Sequence, residues 1–161
     1  MTSSREQLRA AFARIAMSVA VVTVADDVGV HGCTTTTFAE LLDPPVVLVP
    51  LRWTSATRER IHACGRFAVN LLAAEQEPVA RRFAGAGDRF AGTSHQRGPL
   101  GQPLLDGVVA AIECRLTDTA PFGAQELLIG TAEHATTARA PAPLLFGDGR
   151  FLESPPEGRI A

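Results

Sequence analysis

A chain of 161 residues is long enough to bury one sizeable hydrophobic core but short for two, so its length favours a single domain over residues 1–161. Hydrophobic residues make up 46% of the chain and the formal net charge is -2, which argues against disorder, a polybasic nucleic-acid surface and an acidic tail. We therefore expect small molecules or other proteins as partners, and neither nucleic acid nor a membrane.

The N-terminus predicts a helix followed by a strand. Ser3 and Glu6 have the spacing of a capping box, and Leu8, Phe12 and Ile15 then repeat at helical spacing. The apolar run after this segment is short and β-branched, which is typical of a strand rather than of a signal peptide or a membrane span.

The three cysteines, Cys33, Cys64 and Cys114, are far apart and form no CxxC pair. Neither a disulfide framework nor a zinc ribbon is indicated, and a reducing cytoplasm fits this usage. The His-x-Cys pairs at 31–33 and 62–64 could in principle supply four zinc ligands. Their spacing matches no known zinc motif, so we expect structural residues and no metal.

The middle of the chain predicts a hairpin and a buried strand. The run VAVVTV at 19–24, turn residues at 26–29 and an extended run from Val30 have the order of a β-hairpin. The stretch 46–51 is continuously apolar, so we expect a strand that is covered on both faces.

Two short helices and a loop follow. SATRERIHACG predicts a helix from about Ser55 to Gly65, EQEPVARRFAG predicts another ending at Gly85, and RFAVNLLA between them predicts a strand. The segment Ala86–Gly107 is rich in glycine and has no apolar period. We therefore expect a long surface loop, of the kind that often carries function.

The C-terminal third contains three extended segments, GVVAAIECRLTDTA, AQELLIGTAEHAT and PLLFGDGRFLE, which are separated by proline and glycine. Six or seven strands with two or three inserted helices do not alternate as βαβ units, and no GxGxxG follows a strand. The pattern favours a mainly β chain, an antiparallel barrel with short flanking helices.

Four consecutive threonines, 34–37, raise a question about function. In an extended strand Thr34 and Thr36 point to one face, and Thr35 and Thr37 to the other. Threonine is favoured in strands, so β-propensity alone explains the run. Alternatively, the hydroxyls form one wall of a pocket for a flat heterocycle, with residues 47–51 as its apolar side. Spacing alone does not separate these interpretations.

The order of the segments resembles the flavin reductase-like family over nearly the whole chain. The matching pieces are VAVVTV, GCTTTTFAELLDPPVVLVPL, SATRERIHACGRFAVNLLAAEQEPVARRFAG, DRF, GVVAAIECRL and PLLFGDGRF. Members of this family are small FMN- or FAD-binding split barrels that serve two-component monooxygenases. The resemblance implies a homodimer of six-stranded antiparallel Greek-key barrels, in which the flavin lies in a groove near the subunit interface and is reduced by NADH or NADPH.

The same resemblance implies a set of flavin-binding residues. Ser55 and Thr57 at a predicted helix start suit a phosphate, although serine is also a common N-cap. Arg82 offers a planar fork for a phosphate, whereas Phe83 also suits a core position. The full set contains Thr34, Thr36 and Thr37 from the hydroxyl run, Leu48, Val49, Pro50 and Leu51 along the isoalloxazine, and Ser55, Thr57, Arg82 and Phe83 near the ribityl and phosphate.

The chain departs from the family pattern on the redox side. Residues 16–18 replace the Pro-Thr-Gly of the family pattern, and Gly147 stands where the family commonly has an aromatic residue or a histidine. Pro50 removes a backbone N–H from the strand that lies along the flavin. A Gly-Asp-His near the nicotinamide is replaced by residues 123–125, which makes Gln125 the candidate catalytic position on the nicotinamide side.

Two functions therefore remain open. The first is an NAD(P)H-dependent flavin reductase that supplies reduced FMN or FAD to a separate monooxygenase. The second is a non-redox protein on the same scaffold, either a flavin-binding module or a barrel that binds and transforms an aromatic metabolite.

Overall fold

The computed structural model describes residues 3–138 and 142–152. In chain order its elements are α1 (Arg5–Ala13), β1 (Met17–Ser18), β2 (Ala20–Asp26), β3 (Gly29–Thr35), β4 (Ala39–Leu42), β5 (Pro45–Arg52), α2 (Ala56–Cys64), β6 (Arg66–Leu71), a 3-10 turn (Ala74–Gln76), α3 (Glu77–Ala84), β7 (His95–Arg97), β8 (Pro103–Leu105), β9 (Ala110–Phe122), β10 (Gln125–Thr137), β11 (Leu145–Gly147) and β12 (Arg150–Leu152).

Seven of these strands form one antiparallel sheet in the order β3-β2-β6-β9-β10-β5-β4. Two smaller sheets, β1-β11-β12 and β7-β8, complete the described part of the chain. The prediction of a mainly β chain with an antiparallel sheet and short helices is confirmed. The main sheet has seven strands rather than six, and the strands of the smaller sheets are too short to show a hydrophobic period.

The strand β2 lies between two hydrophobic clusters. Val22 and Val24 pack in a cluster with residues of β5, β6, β10 and α2, whereas Val19 and Val21 pack in a second cluster with residues of α3 and β8. Because successive side chains of a strand point to opposite faces, both faces of β2 are buried. This explains why VAVVTV is apolar at every position except Thr23, whose hydroxyl is hydrogen-bonded to the Pro103 carbonyl. The predicted β2–β3 hairpin is confirmed.

The strand β5 does not have the two covered faces that its apolar run predicted. Its side chains alternate from Val47 to Leu51, with the odd-numbered ones buried and the even-numbered ones half-buried. In addition, β4 pairs with β5 only up to Leu48. Among the described residues, the β4 side of β5 therefore has no strand partner from Val49 onward, and this edge borders the groove described below.

The helix α2 has the predicted boundaries. Ser55 is its N-cap, and Gly65 ends it with a φ of 68°, a left-handed conformation that glycine adopts without steric cost. In α1, by contrast, Ser4 and Gln7 form the capping box, not Ser3 and Glu6. Both pairs have the same spacing, so the sequence alone could not distinguish them.

The predicted apolar face of α1 exists but is not covered by residues 3–138 and 142–152, which the structure describes. The helix contains no buried residue, and Phe12 is 64% exposed. No helix among the described residues is long and apolar enough to cross a membrane.

The segment Ala86–Gly107 was wrongly predicted to be a surface loop throughout. It contains the β7–β8 hairpin, in which β8 is fully buried. Oδ1 of the buried Asn70 accepts a hydrogen bond from the Leu105 N–H at 2.9 Å, and the Thr23 hydroxyl donates to the Pro103 carbonyl at 2.6 Å. The groups that hold β8 come from distant strands, which a local pattern does not reveal.

The segment PLLFGDGRFLE was predicted as one extended piece, but it forms a hairpin of β11 and β12. Asp148 and Gly149 have φ values of 52° and 74°, which suits a tight turn. Its last residue, Glu153, lies outside the described residues.

Candidate functional site

A groove of about 670 Å³ opens where β3, the unpaired edge of β5, the start of α2 and the end of α3 meet. A smaller, mainly apolar cavity of about 420 Å³ lies beside it and shares Thr36 with it. The groove is lined by His31, Cys33, Thr34, Thr35, Thr36, Thr37, Pro50, Leu51, Arg52, Thr54, Ser55, Ala56, Phe83, Ala84, Arg89 and Gln125.

Two parts of this lining differ in origin, and we name them separately. The helix side comes from the middle of β3, the start of α2 and the loop after α3; it contains His31, Cys33, Ser55, Ala56 and Arg89. The strand side comes from the residues after β3, the edge of β5 and the start of β10; it contains Thr36, Thr37, Pro50, Leu51 and Gln125.

All four threonines line the groove, because β3 ends at Thr35 and strict alternation stops there. Thr34 donates its hydroxyl to the Ala80 carbonyl of α3 at 2.7 Å, and Thr35 Oγ1 accepts from the Thr37 N–H at 3.1 Å. Within the described residues, the hydroxyls of Thr36 and Thr37 have no hydrogen-bond partner in the protein. These two hydroxyls are therefore the ones that remain available to a ligand.

Residues 48–51 were predicted to lie along the ligand, and the structure places two of them at the groove. Pro50 and Leu51 line the groove. Val49 is completely buried, and Leu48 pairs with Ala39 of β4. Leu48 and Val49 are therefore not part of the groove lining.

The two residues predicted at the helix start have different positions. Ser55 lines the groove and also caps α2, where its Oγ accepts from the Arg58 N–H at 3.4 Å. Thr57 does not line the groove. Its side chain is fully buried, and its Oγ1 lies 2.9 Å from Nδ1 of His31, which does line the groove. Thr57 therefore contacts the groove lining from behind, through His31 and also through Cys33, whose thiol it hydrogen-bonds.

The structure places Arg89 in the lining of the helix side, whereas the predicted Arg82 lies outside the lining. Arg82 donates to Thr93 at 2.8 Å and is not part of the lining. Arg89 is half-buried and donates from Nη1 to the Gly32 carbonyl at 2.7 Å and from Nε to the Gly85 carbonyl at 2.9 Å. In the sequence analysis Arg89 appears only within the DRF segment, and no local pattern favours it over Arg82 as a phosphate ligand.

Phe83 lies where the hydrophobic core meets the groove. Its ring is fully buried and meets the Phe90 ring edge-on at a centroid distance of 5.0 Å, and it also forms part of the groove wall. It therefore belongs to the core and to the groove at once.

Gln125 is a half-buried residue of the groove lining. It begins β10 and pairs with Arg52 of β5 and Phe122 of β9. Trp53 fixes the turn before it, because its Nε1–H donates to the Gly123 carbonyl at 3.1 Å. The position that the sequence associated with the nicotinamide thus faces the same groove as the threonines.

A buried carboxylate braces the start of α2 against β10. Glu126 Oε2 accepts from Arg58 Nε at 2.5 Å and lies 2.8 Å from His62 Nε2. Burial opposes ionisation of Glu126, but hydrogen bonds from His62, Arg58 and Thr119 outweigh it and hold its pKa below the usual value. The Arg58 guanidinium also lies 4.7 Å from the Trp53 ring centre, so α2 and the β5–α2 connection are held together.

The electrostatics of the groove favour an anionic ligand. Burial, then the charges of Arg89 and Arg60, lower the pKa of His31. Burial raises the pKa of the Cys33 thiol. Both groups are therefore neutral at pH 7, and the charged side chains of the lining are Arg52 and Arg89.

Two further results concern the two His-x-Cys pairs and the groove residues that the sequence did not single out. Among the described residues there is no cluster of three or more histidine, cysteine or acidic side chains that could hold a metal, and the two His-x-Cys pairs lie on different elements, β3 and α2. The lining residues outside the predicted set are His31, Cys33, Thr35, Arg52, Thr54, Ala56, Ala84 and Arg89.

The antiparallel sheet and this groove together define a small β protein that can hold an elongated ligand with one anionic and one flat, weakly polar part. Residues 12–154 match the model of the flavin reductase like domain. The chain therefore belongs to this family.

Individual relatives match over most of their length. The chain is 35% identical over 154 residues to the actinorhodin polyketide dimerase of Streptomyces coelicolor, with 94% of this chain and 87% of that protein covered. It is 33% identical over 156 residues to the flavin-dependent monooxygenase reductase subunit HsaB of Rhodococcus jostii, with 96% and 80% covered. The solved structure of the Streptomyces globisporus NADH:FAD oxidoreductase SgcE6 with NAD and FAD fragments is similar with a TM-score of 0.89 at 33% identity, with 97% and 96% covered.

Proposed function

We propose that this chain is an NADH-dependent flavin reductase that passes reduced FMN or FAD to a separate monooxygenase. The observation that carries the proposal is that one groove combines a cation, a helix start, two available hydroxyls and Gln125 in a member of the flavin reductase like family. Relatives named as a monooxygenase reductase subunit and as an NADH:FAD oxidoreductase support both the co-substrate and the partner.

The donors of the groove fit a flavin. The helix side offers the first N–H groups of α2, the Ser55 hydroxyl and Arg89 to a phosphate. The strand side offers Thr36 and Thr37 to ring carbonyls and nitrogens, and Pro50 and Leu51 to the apolar part. In this assignment Thr34 and Thr57 position their neighbours, and Arg82 makes no contact.

The chemistry that a bound flavin supplies is acceptance of a hydride from a reduced nicotinamide. The chain's own residues need to bind and orient the two cofactors, since no general base is required. Gln125 offers one amide donor and one amide acceptor at the groove, which suits a nicotinamide carboxamide. We propose this positioning role for it.

The non-redox alternative is not favoured. Two of the relatives described above are named as a reductase subunit and an oxidoreductase and match over at least 80% of their length. The redox-side replacements at residues 16–18 and at Gly147 are thus proposed to adjust the reductase activity rather than to abolish it.

We also propose a homodimer and a single domain over residues 1–161. Apolar side chains are exposed on α1 and on β4, where Leu42 is 90% exposed, and a two-fold partner is the commonest way to cover such surface. The main sheet takes strands from Ala20 to Thr137, which supports one domain. A monomeric mass in light scattering at micromolar concentration would contradict the dimer.

The free cysteines Cys33, Cys64 and Cys114 support a cytoplasmic location, which we propose as well. Fractionation of cells that express the protein at native level tests it. Recovery of the protein outside the cytoplasmic fraction would contradict it.

The reductase proposal is tested with purified protein, NADH or NADPH, and FMN, FAD or riboflavin. We expect oxidation of NADH that depends on both flavin and protein, and flavin binding at micromolar concentration. Flavin binding without nicotinamide oxidation would instead support a flavin-binding module, and the absence of both would overturn the proposal.

A further inference from the structure

We propose that His31 takes up a proton when the groove binds the phosphate or pyrophosphate of a flavin, so that FAD binds more tightly as the pH falls while riboflavin does not. This inference rests on the flavin-binding function proposed above. It makes His31 a residue that selects phosphate-bearing flavins.

The position of His31 suits this role. The residue lies on β3 and lines the helix side of the groove, and its Nδ1 is 2.9 Å from Oγ1 of the buried Thr57. A hydroxyl can both accept and donate, so Thr57 holds the imidazole in place in its neutral and in its charged form. The ring can therefore change its charge without losing its position.

The charges around His31 disfavour its protonation in the empty groove. Arg89 faces it from the loop after α3 and Arg60 from α2, while Asp26 at the end of β2 acts in the opposite direction. Asp26 is itself paired with Arg60, whose Nε donates to Asp26 Oδ2 at 2.7 Å. The neighbouring Cys33 has a pKa raised by burial and is uncharged. Burial and the two arginines therefore prevail and lower the pKa of His31.

An anion at the helix side reverses this balance. A phosphate held by Arg89 and the start of α2 offsets the positive charge of Arg89 and attracts a charged imidazole. The pKa of His31 is then higher in the complex than in the free protein. By linkage, the complex takes up a proton between these two pKa values, so affinity for the anion rises as the pH falls through that window and is constant above it.

The choice of ligand separates His31 from the ligand's own titration. The phosphomonoester of FMN has a second pKa of about 6, so its own titration would also make FMN affinity depend on pH. The pyrophosphate of FAD has no such step in the neutral range, and riboflavin carries no phosphate. FAD and riboflavin are therefore the two probes.

The experiment measures the dissociation constants of FAD and riboflavin between about pH 5.5 and pH 8.5, the range in which a histidine titrates. For the unmodified protein we expect FAD to bind more tightly toward the low end, by up to about ten-fold for a shift of about one pKa unit, and riboflavin to change by less than about two-fold. His31→Gln should remove the FAD dependence. His95→Gln, a change at an exposed histidine outside the groove lining, should keep it.

A second measurement does not depend on a variant. The C2–H resonance of His31, titrated by NMR with and without FAD, should give a higher pKa in the complex. An unchanged His31 pKa, or equal FAD dependence in the His31→Gln variant, would overturn the inference. Binding of both flavins without any pH dependence would overturn it while leaving the proposed function intact, whereas binding of neither flavin at any pH would overturn both.

Discussion

The helix side and the strand side of the groove are built in opposite ways. On the helix side the polar groups are already bonded to the protein: Arg89 to the Gly32 and Gly85 carbonyls, and His31 to Thr57. On the strand side the hydroxyls of Thr36 and Thr37 have no partner among the described residues, and the edge of β5 is unpaired after Leu48.

This difference indicates a division of roles. Groups that are fixed before a ligand arrives lose little freedom on binding and can supply affinity. Groups without protein partners gain most when a ligand supplies one, so they select the shape and polarity of the ring. We expect affinity to depend on the helix side, and selection of the ring and hydride transfer to depend on the strand side.

The largest effect should come from a carboxylate placed on the helix side. Ala56→Glu adds a negative charge at the first residue of α2, which stabilises a helix but repels a phosphate. We expect FAD affinity to fall about 100-fold, riboflavin affinity to change little and the melting temperature to stay the same or rise. Ala63→Glu, at an exposed position of the same helix, is the matched control. Unchanged FAD binding by Ala56→Glu would refute the division of roles.

Removal of the cation should have the next largest effect. Arg89→Ala should weaken FAD binding about 10- to 100-fold, because a hydrogen bond to a charged group contributes about 1.5–3 kcal/mol. Arg82→Ala should leave it unchanged, since Arg82 is bonded to Thr93 outside the groove. Equilibrium titration of both variants checks this, and a larger loss in Arg82→Ala would restore the prediction made from sequence.

A substitution on the strand side should change kinetics and not affinity. Gln125→His should raise kcat/KM for NADH, from a few-fold to at most about 100-fold, because a histidine can orient the carboxamide and add positive charge. The flavin dissociation constant should stay within about two-fold. Gln96→His, at an exposed position of β7, serves as the control. Unchanged NADH kinetics in an enzyme that already turns over rapidly would contradict the role given to Gln125.

The smallest expected effect is on stability, and it comes from the Asp26–Arg60 ion pair that holds α2 at the helix side against the end of β2. The hydrogen bonds of Arg60 lower the Asp26 pKa to about 2 against the opposing effect of burial. The Asp26–Arg60 pair therefore stabilises the fold at pH values above the ordinary carboxyl pKa, and this stabilisation is lost as the pH falls toward about 2. Asp26→Asn should lower the melting temperature at neutral pH by about 3 °C and flatten its decrease in acid. Asp27→Asn, at the exposed neighbour, should do neither.

The elements that the sequence predicted well are those whose signals are local. Ser55 and Gly65 mark both ends of α2, and the polar turn at 26–29 separates β2 from β3. The β7–β8 hairpin was missed because the burial of β8 depends on Asn70 and Thr23, which are distant in sequence.

The structure brings many of the predicted site residues to one groove, and their contact with a flavin stays a prediction. The predicted residues that line the groove are Thr34, Thr36, Thr37, Pro50, Leu51, Ser55, Phe83 and Gln125. The choice between Arg82 and Arg89 depends on where a helix ends and its loop folds back, and side-chain direction at that point has no local signal.

A crystal structure of the protein with FAD or FMN tests the central claim most directly. Our account predicts the phosphate beside Arg89 and the start of α2, and the ring beside Thr36, Thr37 and the edge of β5 at Pro50–Leu51. A flavin found instead in the neighbouring apolar cavity lined by Met17, Phe38 and Ile112 would contradict it.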